Sequence, residues 1–247
     1  MTLKELPITG LPVGGVSPSV LVCGDPARAD RIAVALDDSR LLSEKREYRA
    51  YQGSFHGVPV TVCSHGVGAP GSAVAFEELI AAGAQRIIRV GTCGGMQPDI
   101  QAGQLVIATA AVQHTGLGRE LAPAGYPAAA DPDVTIALRT TAEQHGMPTQ
   151  SGYVLTRDAF YAGVQTADIP DYKVLSQAHV LAVEMECAAL FLIGALRGIP
   201  TGAILTVDGN VLVQTESMES YQPDRAIVQA GVEAAIQIAL EALRGLA

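Results

Sequence analysis

The chain has 247 residues, 49% of them hydrophobic, and a formal net charge of −9, with a pI near 5.0. That length and apolar content suit one domain with a sizeable core. The acidic balance lacks the basic stripe that a nucleic-acid or anionic membrane surface calls for, so neither is the expected partner and an anionic ligand would depend on local arginines.

MTLKELPITG has no basic segment followed by an apolar one, and the longest uninterrupted apolar stretch, near CAALFLIGAL, is too short to span a bilayer. A cytoplasmic location is expected. In chain order, SVLVCG reads as a buried strand and leads into GDPARADRI. There Gly24 lets the backbone approach a ligand closely, Pro26 suits a first helical turn, and Arg28 projects beside free backbone N–H groups. This can be an anion pocket or simply a strand-to-helix turn. VPVTVCSHG reads as the next buried strand, followed by GSAVAFEELIAAG as a helix with Ser72 as N-cap, Phe76, Leu79 and Ile80 inward and Gly83 as terminator.

RIIRVGTCGG is an apolar strand interrupted by Arg89, with Thr92 and two glycines at its end. An arginine inside a buried strand requires an anionic partner, from the protein or from a ligand. GQLVIATA is a further strand, and DPDVTIALRTTAEQHG a helix between Asp and Gly146. AVEMECAAL places Glu184 and Glu186 around Met185 in an apolar run, where a carboxylate needs a partner. TGAILTVDG reads as a strand ending at Asp208, a position often taken by a turn residue. From Arg225 onward, Ile227, Gly231, Ala235, Ala239 and Leu243 recur every four residues, giving a long helix with one apolar face. The class is α/β, and the chemistry is expected in the crevice at the strand ends. Cys23, Cys63, Cys93 and Cys187 show no CxxC spacing and read as buried free thiols, not disulfides or a zinc site. Neither GxxxxGK[ST] nor a strand-GxGxxG-helix is present, which counts against an NTPase or a dinucleotide enzyme.

Six segments in order, GDPARAD, KREYRAYQG, SHGVGAPGSAVAFEEL, RVGTCGGMQPDIQAGQ, VEMECAAL and LTVDG, resemble the nucleoside phosphorylase family of hexameric purine nucleoside phosphorylases and uridine phosphorylases. The likeness runs from about Val20 to the C-terminus and is closest to the parasite-type purine enzymes. It implies a single α/β domain spanning residues 1–247, with a central mixed sheet flanked by helices, assembled from dimers into a homohexamer. It also implies phosphorolysis of nucleosides to free base and ribose 1-phosphate, with inorganic phosphate as co-substrate and no metal or organic cofactor.

Residue by residue, Gly24, Arg28, Arg89 and Thr92 match the family's phosphate-binding positions. Arg46 of KREY matches the arginine that reaches a neighbouring subunit's site; on its own it reads as a solvated residue in a mixed-charge run. Glu186 matches the carboxylate that holds the ribose hydroxyls, Met185 the residue beneath the sugar, and Glu184 a neighbouring sugar-site position, although Glu184 also reads as a helix-start carboxylate. Asp208 matches the acid that serves N7 of a departing purine, which requires it to be protonated. Phe160 matches the aromatic against the base and alone reads as core.

The family's N-terminal histidine is missing: PITGL has Ile8 and Thr9, and no histidine precedes His56. Uridine phosphorylases carry Gln and Arg shortly after the matching aromatic, whereas Val164 and Thr166 stand at those positions here, with Gln165 between them. A purine nucleoside is therefore expected, with uridine as the alternative. A water-using nucleosidase would lack the phosphate arginines, and a binding-only relative would have lost Asp208 or Glu186. The polar loop NVLVQTESMESYQPD is a candidate lid.

Overall fold

Apolar β-branched runs form the strands at the centre of the molecule, as their patterning requires. The computed structural model describes residues 4–161, 163–164, 166–213 and 221–247. The order is β1 (Ser19–Cys23), α1 (Pro26–Val34), β2 (Asp37–Lys45), β3 (Tyr48–Phe55), β4 (Val58–Ser64), α2 (Ala69–Ala81), β5 (Arg86–Gly95), β6 (Leu105–His114) and α3 (Gly116–Leu121). Then follow β7 (Ala128–Ala129), α4 (Pro132–Gln144), β8 (Thr149–Arg157), α5 (Tyr172–Gln177), β9 (Ala182–Glu184), α6 (Cys187–Arg197), β10 (Thr201–Asn210) and α7 (Ala226–Gly245).

The strands make one mixed sheet in the order β10-β6-β8-β9-β5-β1-β4-β3-β2, with β7 beside β6. β10 also pairs with β5, so the path closes into a ring from which β1, β4, β3 and β2 extend. β1 runs parallel to β4 and β5, and β10 parallel to β5. This brings the C-terminal ends of β1, β5 and β10 to one place. On one side α2 and α6 pack with a core that includes Phe76, Leu79, Leu190 and Phe191. On the other, α1, α4 and α7 cover Leu21, Ile88, Ile204 and Leu240. All four cysteines are free and buried, as their placement in apolar runs implied.

Three local expectations need correction. Ser72 is not the N-cap of α2. The helix starts earlier, after Gly68, and Ser72 Oγ instead donates to the Ala69 carbonyl inside the first turn. Ile227 is 59% exposed, because the buried stripe of α7 runs through Val228, Val232, Ala235 and Ile236. Asp208 is not in a turn: it lies within β10 and is 7% exposed. α7 is long and apolar enough to cross a bilayer, but about half of it is buried against the core.

Candidate active site

A cavity of about 1020 Å³ opens where β1, β5 and β10 end. Gly24, Arg28, Arg89, Thr92, Phe160, Glu184, Met185, Glu186 and Asp208 all line it. Arg46 does not. It sits exposed in the β2–β3 turn with φ of 56°.

The two glutamates of AVEMECAAL have different tasks. Glu184 accepts the hydroxyl of Thr156 at 2.5 Å and the N–H groups of Glu186 and Cys187 at 2.8 and 2.9 Å. Thr156 Oγ1 accepts the next amide, Ala188 N–H, at 2.9 Å. The first amides of α6 have no partners within the helix, so a buried carboxylate and a hydroxyl supply them and the helix dipole favours the charge. Glu186 turns the other way. Its Oε2 lies 2.5 Å from Arg89 Nη2, and its Oε1 accepts Gly68 N–H at 2.6 Å. Gly68 presents that amide at φ of 94°, a conformation open mainly to glycine.

Arg89 thus finds its anionic partner inside the protein. Its side chain is 4% exposed, with Glu184 Oε2 a further 3.5 Å away. Gly91 makes room for the guanidinium, since a Cβ there would stand 2.7 Å from Arg89 Cζ. Burial works against the arginine's charge, but Glu186 and Glu184 outweigh it and hold Arg89 above its ordinary pKa. Two carboxylates share this one guanidinium. Burial, with Glu184 beside it, pushes Glu186 up from the usual carboxylate value against the pull of Arg89.

His65 completes the cluster, although no role was expected of it within SHGVG. Its Nδ1 is 2.9 Å from the Gly66 carbonyl, and its Nε2 is 3.0 Å from Arg89 Nη1. A carbonyl can only accept and a guanidinium only donate, so Nδ1 carries the hydrogen and the ring is neutral. Burial and the nearby Arg89 hold its pKa well below the usual value. Arg28 reaches the cavity from α1, whose N-cap is Asp25. One of its nitrogens donates to the Val90 carbonyl at 3.3 Å, while its Nε, like that of Arg89, is buried without a partner among the described residues. Burial lowers the Arg28 pKa from its ordinary value. An anion would relieve both the orphaned donor and the uncompensated charge.

The opposite wall is aromatic. Phe160 is 41% exposed and therefore not core. Its ring meets those of Tyr161 and Tyr221 edge to face, at 5.1 and 5.2 Å. Asp208 lies at a register shift in the β10–β5 pairing, between Val207 and Gly209. Such bulges re-aim a side chain next to functional sites. Tyr221 donates its hydroxyl to Asp208 Oδ2 at 3.0 Å, and Arg225 donates to the Asp208 carbonyl. Tyr221 carried no signal in the sequence because it sits in a polar stretch without periodicity. Of the proposed lid and base-edge positions, residues 214–220 and Gln165 lie outside the described residues, and Val164 is 83% exposed. Among the described residues no group of three or more His, Cys, Asp or Glu side chains could hold a metal ion.

A family model for the phosphorylase superfamily matches residues 18–244. A uridine phosphorylase of Treponema pallidum is 39% identical over 242 residues, covering 95% of this chain and 92% of that protein. A guanosine phosphorylase of Halorubrum lacusprofundi is 36% identical over 236 residues, covering 94% and 95% respectively. The crystal structure of purine nucleoside phosphorylase from Toxoplasma gondii in complex with immucillin-H superposes with a TM-score of 0.91 at 34% identity, covering 100% of this chain and 98% of that one.

Proposed function

The chain belongs to the phosphorylase superfamily, and from that premise we propose that it cleaves nucleosides with inorganic phosphate, releasing free base and ribose 1-phosphate. Purine nucleosides of the inosine and guanosine type are the proposed substrates. One observation carries this reading: a single cavity joins Arg28 and Arg89, each with a buried Nε that has no partner among the described residues, to a carboxylate pair and an aromatic wall ending at Asp208.

Cleavage of the C–N bond builds positive charge on the ribose and negative charge on the base, so both ends need stabilising. Phosphate held by Arg28, Arg89, Thr92 and the Gly24 backbone supplies the nucleophile and faces the ribose cation. Each Glu186 oxygen keeps a lone pair beyond its bond to Arg89 or Gly68, which suits it to accept ribose hydroxyls. Met185 packs under the sugar with Glu184 fixing the segment, Phe160 packs against the base, and Asp208 gives a proton or hydrogen bond to N7. Arg46, exposed and outside its own cavity, is proposed to serve a neighbouring subunit within a homohexamer built from dimers. This scheme uses no metal or organic cofactor.

Uridine is the second reading, favoured by the likeness to the Treponema pallidum uridine phosphorylase. Inosine, guanosine, adenosine and uridine, each assayed for base and ribose 1-phosphate with and without phosphate, decide between them. Phosphate-dependent release of hypoxanthine or guanine with little uracil is expected. Dominant uracil release would replace the base assignment, and cleavage without phosphate would overturn phosphorolysis itself.

A further inference from the structure

Arg157, the last residue of β8, was assigned nothing by the sequence, yet it lines the same cavity as Phe160, Val183 and Val211. It is half-buried, and its place is fixed: Nη1 donates to the Tyr172 hydroxyl at 2.5 Å, and Cζ stands 5.7 Å over the Tyr172 ring. Nε is buried with no acceptor among the described residues. Among the described residues no carboxylate comes within ion-pair distance of it. The adjacent Asp158 is turned away and accepts Gly116 N–H at 2.8 Å. A guanidinium is permanently charged and can only donate, so holding one half-buried with no carboxylate beside it leaves donors in need of an acceptor. The other cavity arginines, Arg28, Arg31 and Arg89, stand on α1 and β5, whereas Arg157 ends β8 and lies over the Tyr172 ring. A flat base edge carrying an oxygen fits that setting better than a second phosphate.

We propose that Arg157 is a specificity residue that donates to an exocyclic carbonyl oxygen of the base, selecting oxo bases over their amino counterparts. The inference rests on the nucleoside-cleaving reading above and deepens it. Hypoxanthine and guanine present such an oxygen at C6, and uracil at C4. Adenine at C6 and cytosine at C4 carry an amino group in its place, which would face a donor with a donor and leave both unpaired. Tyr172 acts as the positioning residue that holds the guanidinium toward the base.

The test is calorimetric binding of hypoxanthine, adenine, uracil and cytosine to the wild-type chain and to Arg157→Met, beside kcat/KM for the matching nucleosides. The expected result is tighter wild-type binding of the oxo base of at least one pair. Arg157→Met should lose about 10- to 100-fold of that affinity, as for one charged hydrogen bond, and leave the amino base unchanged. Arg157→Lys, which keeps the charge but not the fork, and Tyr172→Phe, which releases the guanidinium, should each lose a smaller part and provide the test if Arg157→Met fails to fold. Equal affinity of wild type for oxo and amino bases, or variants that alter both alike, would overturn the proposal. Base binding needs no phosphate, so a chain that binds oxo bases through Arg157 yet cleaves no nucleoside supports this assignment while refuting phosphorolysis.

Discussion

The two ends of the cavity are built differently. At the arginine end, Arg89, Glu186, Glu184 and His65 are each about 5% exposed or less; Arg89 binds Glu186 and His65, and both glutamates accept helix-start amides. At the aromatic end, Phe160 and Tyr161 are exposed, and Tyr221 is half-buried. A buried charge cluster tolerates little change, because removing any member leaves another uncompensated. An exposed aromatic wall can be altered with little cost to the fold. The arginine end is thus suited to chemistry common to every substrate, and the aromatic end to selecting the base.

The largest expected effect breaks the buried end. Arg89→Ala strands two carboxylates and should cost about 3–5 kcal/mol of stability, together with at least about a 10²-fold loss of kcat/KM. Urea unfolding and steady-state kinetics read both. Near-wild-type kinetics with phosphate would remove Arg89 from the site. Asp208→Asn probes the other end and should depress purine nucleoside cleavage by about 10²-fold, with a smaller change in unfolding midpoint than Arg89→Ala. Unchanged inosine turnover would end its assignment as the acid.

A smaller effect comes from His65. Its folded-state pKa is depressed, first by burial and then by Arg89. Above the ordinary value of 6.5 the ring is neutral whether folded or unfolded, and it contributes no pH dependence. Below 6.5 the unfolded chain binds a proton that the folded chain refuses, so stability falls as pH drops, by up to about 1.4 kcal/mol per pH unit. Glu186, raised in the fold, acts with the opposite sign: the stability from its raised pKa is present at low pH and is lost as pH rises through the folded value. Unfolding midpoints from pH 8 to pH 5 should therefore show a decline below 6.5 that is shallower in His65→Gln. Identical slopes in both proteins would mean that another group titrates there.

The sequence disclosed the arginine end because its signals are local and contradict their surroundings. Arg89 in an apolar strand and two glutamates in an apolar run each announced a buried partner, and the structure joins them to one another. Strands such as β1, β5 and β10 were legible from continuous apolar runs that end in Gly, Thr or Asp. β2 was not. It carries DDSRLLSEK, exposed or half-buried throughout, and becomes a strand only by pairing with β3 at the sheet edge. β9, three residues long, is likewise defined by its neighbours. The aromatic end depends on tertiary placement: Tyr221 reaches Asp208 across 13 residues, and Arg157 meets Tyr172 across 15. No periodicity or capping pattern encodes such meetings. His65 was within view in SHGVG, but only the fold brings it against an arginine on another strand.

The division of labour is tested most directly by the Michaelis constants of Arg28→Ala for phosphate and for its best nucleoside, measured in one titration grid. Loss of a charged donor from the arginine end should raise KM for phosphate about tenfold or more, with the nucleoside constant moving much less. A phosphate constant unchanged from wild type, or a nucleoside constant that rises equally, would contradict the assignment of the arginine end to phosphate.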